Sequence, residues 1–439
     1  MTSQVPHVLA VIPSVIPSTT MVAIKPLTEL SVQGKIQSRV VIESMANTGD
    51  LDWADVVVFS RNCEGQFVFL LDHLIKTSKP YIYDLDDNFF ALPKGTTFAD
   101  HYYKNGLGAV VEKYITYASR IRVYSSRLRE TILPINKKVD LITPPLDWSL
   151  ISSPQQKRGD DRVKIVYSTS RNQDELSHVF LPALRRILEE NTQVRVYFLG
   201  YMPEEFRNVH HVHYWPFMRG YESFMRKFSS AGFDIGLAPL VEDEFHASKT
   251  NTKYRDYAAS KIAGVYSDVS LYRSCVVSGV NGLIVQNTTH AWYQAIRSLV
   301  TDPALRLQIQ ELAYKDVQQH YTEADFLSVW YDIIMDVYNE AHGTQLIDLS
   351  PKHDPSEYRK LEEVVTPTSG GNRFVKKIGW VLRKMVNLSS SILHSPVSDW
   401  GIRSRALYER LTMLLYLYQV NRRARKTQQA IQWDVKIKK

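Results

Sequence analysis

The feature that most constrains this chain is a series of short apolar segments without polar alternation, separated by helix-like stretches and arranged in two successive blocks. In the first block, "HVLAVIP", "SRVVIES", "ADVVVFS", "KPYIYDL", "RIRVYSS" and "KVDLITPP" are rich in Val, Ile and other apolar residues. A strand with one wet face alternates, whereas a strand apolar on both faces belongs to a parallel sheet covered above and below. Amphipathic stretches such as "EGQFVFLLDHLIKTS" supply the covering helices. After a polar, proline-bearing segment the pattern resumes with "VKIVYST", "VRVYFLG", "DIGLAPL", "GVYSD" and "GLIVQN". We therefore expect an α/β chain with two Rossmann-like domains facing a cleft. The first spans 1–145 and the linker 146–162. The second spans 163–345, and its last helix, "EADFLSVWYDIIMDVY", crosses back to the first.

Within that frame, "YDLDDNFF" stands out. Asp84, Asp86 and Asp87 lie within four positions at the end of an apolar strand, where like charges repel. Strand carboxyl ends are where ligands bind in such sheets, so these carboxylates are expected to face a polar cleft, Asp86 and Asp87 as the working pair and Asp84 in a structural part. Aspartates acting as turn residues are the plain alternative, and an Asp-x-Asp cation site is another. In the second block, Lys249 precedes a helix expected to begin near Thr250 or Asn251. Free backbone N–H groups beside a lysine suit a phosphate. Asp256 on that helix is placed to accept hydrogen bonds from a ribose diol, and Lys253 lines the same cleft.

Several blocks together resemble GT-B glycosyltransferases, specifically glycosyltransferase family 4 and its bacterial surface-polysaccharide relatives. They are "AIKPLTELSVQG", "ADVVVFSR" with "KPYIYDLDDNFF", "IVYSTSRNQDELSHVFLPAL", "FDIGLAPL" with "SKTNTKYRDYAAS", and "GVNGLIVQNTTHAWYQAIRSLVTDPALR". The resemblance spans about residues 7 to 342. It implies transfer of a sugar from a nucleoside-diphosphate sugar to a hydroxyl of a glycan or lipid-linked glycan. It also implies retained anomeric configuration, no cofactor and no metal. The donor would be held by Ser170, Arg171, Lys249, Thr250, Asn251, Lys253 and Asp256, and Asp86 or Asp87 would act on the acceptor or on the cationic sugar. The family's two glutamates, eight residues apart, fall at Ser248 and Asp256, so the first is missing. The loop "PSVIPSTT" also lacks the glycines that many members carry. Another nucleotide-sugar enzyme, such as an epimerase, and a non-catalytic scaffold are the rival readings.

Charge separates the end of the chain from the rest. Residues 365–439 hold fifteen Lys and Arg against three acids; of the net +7 of the whole chain this stretch is +12 and the remainder −5. Apolar residues at helical spacing, among them Phe374, Ile378, Val381, Leu382 and Met385, give this tail a basic amphipathic helical character. An anionic membrane surface and a protein partner both fit it, whereas nucleic acid does not, because large apolar residues interrupt the basic ones. Cys63 and Cys275 lie far apart and frame neither a disulfide scaffold nor a metal site, as expected in a reducing compartment. With no signal-peptide pattern and no apolar run of roughly 20 residues, the expected location is cytoplasmic, with a peripheral position on the inner face of the membrane as the variant.

Overall fold

The computed structural model describes residues 5–152, 162–169, 175–218, 220–343 and 413–424. The first block forms one six-stranded, all-parallel sheet: β1 (His7–Ile12), β2 (Gln37–Ile42), β3 (Val56–Ser60), β4 (Tyr81–Leu85), β5 (Arg120–Val123) and β6 (Val139–Leu141), in the order β2-β1-β3-β4-β5-β6. The second block forms another: β7 (Val163–Ser168), β8 (Val194–Gly200), β9 (Val212–Pro216), β10 (Ile235–Ala238), β11 (Ala263–Ser267) and β12 (Leu283–Val285), in the order β12-β11-β10-β7-β8-β9. Both sheets are wound from the middle outward. Strand order reverses between β1 and β3 in one and between β7 and β10 in the other, and a crevice opens beyond the strand ends at each reversal.

Burial follows the sequence pattern. Every residue of β3, β4, β10 and β11 is buried, whereas the edge strand β2 buries only alternate residues. Leu9, Val57, Phe59, Tyr81 and Leu70 belong to the core of the first half, and Ile165, Leu184, Val196, Phe198 and Trp292 to that of the second. Each such apolar side chain contributes about 1.5–3 kcal/mol through its removal from water. After β1 the chain passes through a π-helical turn, Thr20–Ile24, before the helix Lys25–Val32, and a residue in left-handed conformation, Gly34 (φ 74°), follows its end.

The helix Glu323–His342 packs on the first half. Trp330 Nε1 donates to the Val22 carbonyl at 2.7 Å, and Glu340 accepts from Arg120 at 3.2 Å and Lys138 at 2.9 Å. The Arg122 guanidinium lies 3.2 Å from the centre of the Trp330 ring. Arg122 is fully buried, as is its ion-pair partner Asp84, 3.3 Å away. Asp84 also accepts from Tyr124 at 2.6 Å and Ser60 at 3.0 Å. Burial pushes the Asp84 carboxyl above the ordinary range, against the opposing pull of Arg122 and Tyr124.

By contact density the chain divides into residues 4–343 with 420–439, and residues 1–3 with 344–419. Of the smaller unit only 413–419 are described, and they are helical. In the larger unit, Asn421 makes two bonds to one residue of the edge strand. Its Oδ1 accepts from the Val40 N–H and its Nδ2 donates to the Val40 carbonyl, both at 3.1 Å. A side-chain amide thus occupies backbone groups that an edge strand otherwise leaves open. Most of the basic tail, including Phe374 to Met385, lies outside the described residues.

Replacing Arg122 by Met leaves Asp84 buried without its cation. Breaking such a pair costs about 3–5 kcal/mol, and adding Asp84→Asn recovers part of the loss. Denaturant unfolding of the two variants checks both values.

Candidate functional site

Residues of the two crevices meet in one place. Past β4 the chain turns with Asp86 and Asp87. Past β3 it turns with Arg61, whose φ of 64° is left-handed. Arg61 Nη1 donates to Asp86 Oδ1 and to Asp87 Oδ2, the latter at 3.0 Å. From the second half, Lys249 Nζ donates to Asp87 Oδ1 at 2.9 Å and sits 4.2 Å from the centre of the Phe245 ring. Burial alone would raise the Asp87 carboxyl. Lys249, and after it Arg61, outweigh that effect and hold it below the usual range. Opposed by burial, Asp86 and Asp87 nonetheless stabilise the Arg61 cation further.

Charge pairing adds a second reason why the cluster of aspartates is tolerated. Asp84 is fully buried and lines neither of the two adjoining cavities, whereas Asp86 and Asp87, with side chains 13% and 21% exposed, border the larger of them. Each carboxylate is matched by a cation, Arg122 for Asp84 and Arg61 with Lys249 for the pair. Since Asp84 and Asp86 face different surroundings, the Asp-x-Asp spelling does not describe one site. Among the described residues no group of three or more His, Cys, Asp or Glu gathers as a metal site.

Two cavities border this cluster. One, of about 290 Å³, is lined by Asp86, Asp87, Lys249, Thr250, Lys253 and Ser18, among others. The other, of about 160 Å³, lies at the β7/β10 reversal, where Ser168, Thr169, Pro239 and Leu240 meet His246, Lys249 and Lys253. Both lysines line both cavities. Burial lowers the Lys253 ammonium pKa, with Asp256 opposing. The helix begins at Thr252, with Asn251 as its N-cap residue.

The other expected contacts are spread more widely. Asn251 turns away from both cavities, donating to the Tyr321 hydroxyl at 2.7 Å and accepting from Arg255 at 3.2 Å. Asp256 is buried, accepts from the Tyr221 hydroxyl at 3.3 Å and lines neither cavity. Ser170 and Arg171 lie outside the described residues. Ser248, which stands where the resemblance places a glutamate, is fully buried. Its Oγ accepts from Asn88 Nδ2 at 3.2 Å, and its carbonyl accepts from Ser125 Oγ at 2.6 Å. Both partners come from the first half, so a glutamate here would bring its charge into a buried contact between the halves.

Arg61 was missed in the sequence, although its place after β3, beside the β1/β3 reversal, was a usable signal. Glu43, at the end of β2, was missed as well. It is buried and accepts from Asn62 Nδ2 at 2.6 Å, and Asn62 in turn accepts from the Tyr83 hydroxyl through its carbonyl at 2.6 Å. Burial pushes the Glu43 carboxyl up to about 7, with Asn62 opposing and Glu64 adding to the rise.

Neither a protein-family profile nor a curated protein sequence matches the chain. Solved structures do share its fold. Anabaena Alr3699/HepE in complex with UDP-glucose matches with a TM-score of 0.55 at 13% identity, over 75% of this chain and 100% of that one. Sucrose-phosphate synthase from Thermosynechococcus elongatus gives 0.58 at 10%, over 76% and 100%. A putative UDP-N-acetylglucosamine 2-epimerase from Listeria monocytogenes gives 0.52 at 10%, over 78% and 98%. The two sheets are thus the two Rossmann-like units of the GT-B fold.

Glu43 makes stability depend on pH with a definite sign. Its folded pKa lies above its unfolded value of 4.5, so the native state binds more protons between pH 4.5 and about 7, and stability falls as pH rises through that window. Glu43→Gln removes this dependence. It is expected to stabilise the protein at pH 8 by about 2–3 kcal/mol relative to its effect at pH 4, read from urea unfolding at the two pH values.

Proposed function

We propose that this chain is a glycosyltransferase that moves a sugar from a nucleoside-diphosphate sugar to a hydroxyl of a glycan or lipid-linked glycan, with retained configuration and without a metal. The observation that carries this reading is the meeting of acidic and basic groups from the two halves around adjoining cavities. The second half brings Lys249 and Lys253 to both cavities, and the first half brings Asp86 and Asp87 to the larger one. In the reaction the bond between the anomeric carbon and the diphosphate oxygen breaks, and its electron pair leaves with the diphosphate. The acceptor oxygen bonds to that carbon and gives up its proton.

Lys249, Lys253 and Arg171, with Ser170 and the backbone N–H groups near Thr250, stabilise the charge on the departing diphosphate, and fixed cations need no reorganisation during the reaction. Asp86 and Asp87 serve the acceptor side. Neighbours of the same fold whose structures contain UDP or UDP-glucose support a nucleotide-sugar donor. The motifs quoted above favour the family 4 type and a role in polysaccharide biosynthesis. The basic tail suits a peripheral position at an anionic membrane surface, close to a lipid-linked acceptor. The fold shared with a putative epimerase favours a second reading, in which the nucleotide sugar is rearranged and nothing is transferred.

Calorimetric titration of UDP, GDP, dTDP and ADP in the presence of EDTA tests the donor site. One nucleotide is expected to bind, and Lys249→Ala to weaken it about tenfold or more, equivalent to about 1.4 kcal/mol. If no nucleotide binds, or if binding requires a divalent cation, the reading fails. Recovery of an isomerised donor sugar with no transferred product would favour the epimerase.

A further inference from the structure

Asp86 and Asp87 are neighbours in the chain and share an arginine, yet their oxygens are committed differently. Both oxygens of Asp87 are engaged by cations, Oδ1 by Lys249 and Oδ2 by Arg61. Asp86 is held through Oδ1 alone, and among the described residues its Oδ2 has no partner. Asp86 lines the 290 Å³ cavity together with Ser18, Thr250 and Lys253. The backbone that presents Arg61 is built for the purpose. A non-glycine residue at φ 64° persists only where its surroundings over-determine it. Here the Arg61 N–H donates to the Asp84 carbonyl at 3.0 Å, and the next residue, Asn62, is tied to Glu43 and Tyr83. This pinned turn sends the guanidinium back across residues 86 and 87, over the Phe89 ring at 5.4 Å.

We propose that Arg61 is the positioning residue that divides the work of the two aspartates. With Lys249 it makes Asp87 a clasp between the two halves, and it holds Asp86 by one oxygen so that the other meets the acceptor hydroxyl. The proposal rests on the donor and acceptor reading given above and assigns each carboxylate one part in it. The diphosphate competes with Asp87 for Lys249, so the clasp opposes donor binding, whereas Asp86 takes no part in that competition.

The test uses the full chain and four variants, Arg61→Lys, Asp86→Asn, Asp87→Asn and Lys249→Ala. Nucleotide affinity is measured by calorimetry, and turnover by release of nucleoside diphosphate from the bound donor sugar with excess glycerol as acceptor. Asp87→Asn is expected to tighten nucleotide binding about fivefold, because Lys249 loses its competing anion. Asp86→Asn is expected to leave affinity within about twofold and to lower kcat about 100-fold or more. Arg61→Lys keeps the charge but not the fork that spans both residues. It is expected to lower kcat at unchanged donor KM, a split that a general loss of folding would not produce.

Equal losses from the two Asn variants, or the reverse pattern, overturn the division. A wild type that binds nucleotide but releases none to water or glycerol overturns the acceptor role of Asp86. Failure of the wild type to bind any nucleotide defeats the donor reading instead, and thermal melting then decides the clasp by itself. Lys249→Ala and Asp87→Asn must be non-additive, and Lys249→Ala and Asp86→Asn additive. Additivity in the first pair removes the clasp.

Discussion

The architecture around the crevices depends on the neutralisation of three clustered aspartates by cations that reach them from three parts of the chain. Arg122 comes from β5, Arg61 from the turn after β3, and Lys249 from the second half. Each pairing also organises something beyond itself. Arg122, stacked on Trp330, ties the long helix 323–342 to the first sheet. Arg61 fixes the turn beside the β1/β3 reversal. Lys249 joins the two halves through Asp87. Removing water from a carboxylate is costly, and the cost is met only when an opposite charge and hydrogen bonds are in place. The short acidic stretch is therefore tolerable only in a chain that folds all three cations onto it.

The two-sheet plan was legible in the sequence because it rests on strand burial. Val56–Phe59 and Ile235–Ala238 are apolar on both faces and read as parallel strands without further information. Lys249, Thr250 and Lys253 could also be placed at the cleft, since they follow a strand end. Pairings between distant residues could not be read. Nothing near Asp84 in sequence announces that its partner is Arg122, 38 positions away, or that Trp330 backs that arginine. The same applies to Asn251 and Asp256. A helix position fixes the direction of a side chain only relative to its own helix, and both meet tyrosines, Tyr321 and Tyr221, supplied from elsewhere.

Ser248 shows how one position can serve the contact between halves. The residues around it dock on the first half, with Phe245 in the first core, Glu244 paired with Arg127 at 2.6 Å, and Ser248 bonded to Asn88 and Ser125. A small hydroxyl satisfies that buried contact where a longer, charged side chain would have to be desolvated. The residue that departs from the resemblance is thus accounted for by packing, and its loss says nothing by itself against chemistry in the neighbouring cavities.

The bond pair between Asn421 and Val40 has a consequence for the order in which the protein is made. Synthesis delivers Val40 more than 380 residues before the amide that caps it. During that interval the outer edge of the first sheet offers open donors and acceptors to any extended chain nearby, including a second nascent copy. The interval is long on the ribosome, and a chain cut short anywhere before residue 421 would never close it. The residue that closes this edge thereby acts as the last stitch in the first sheet to be synthesised.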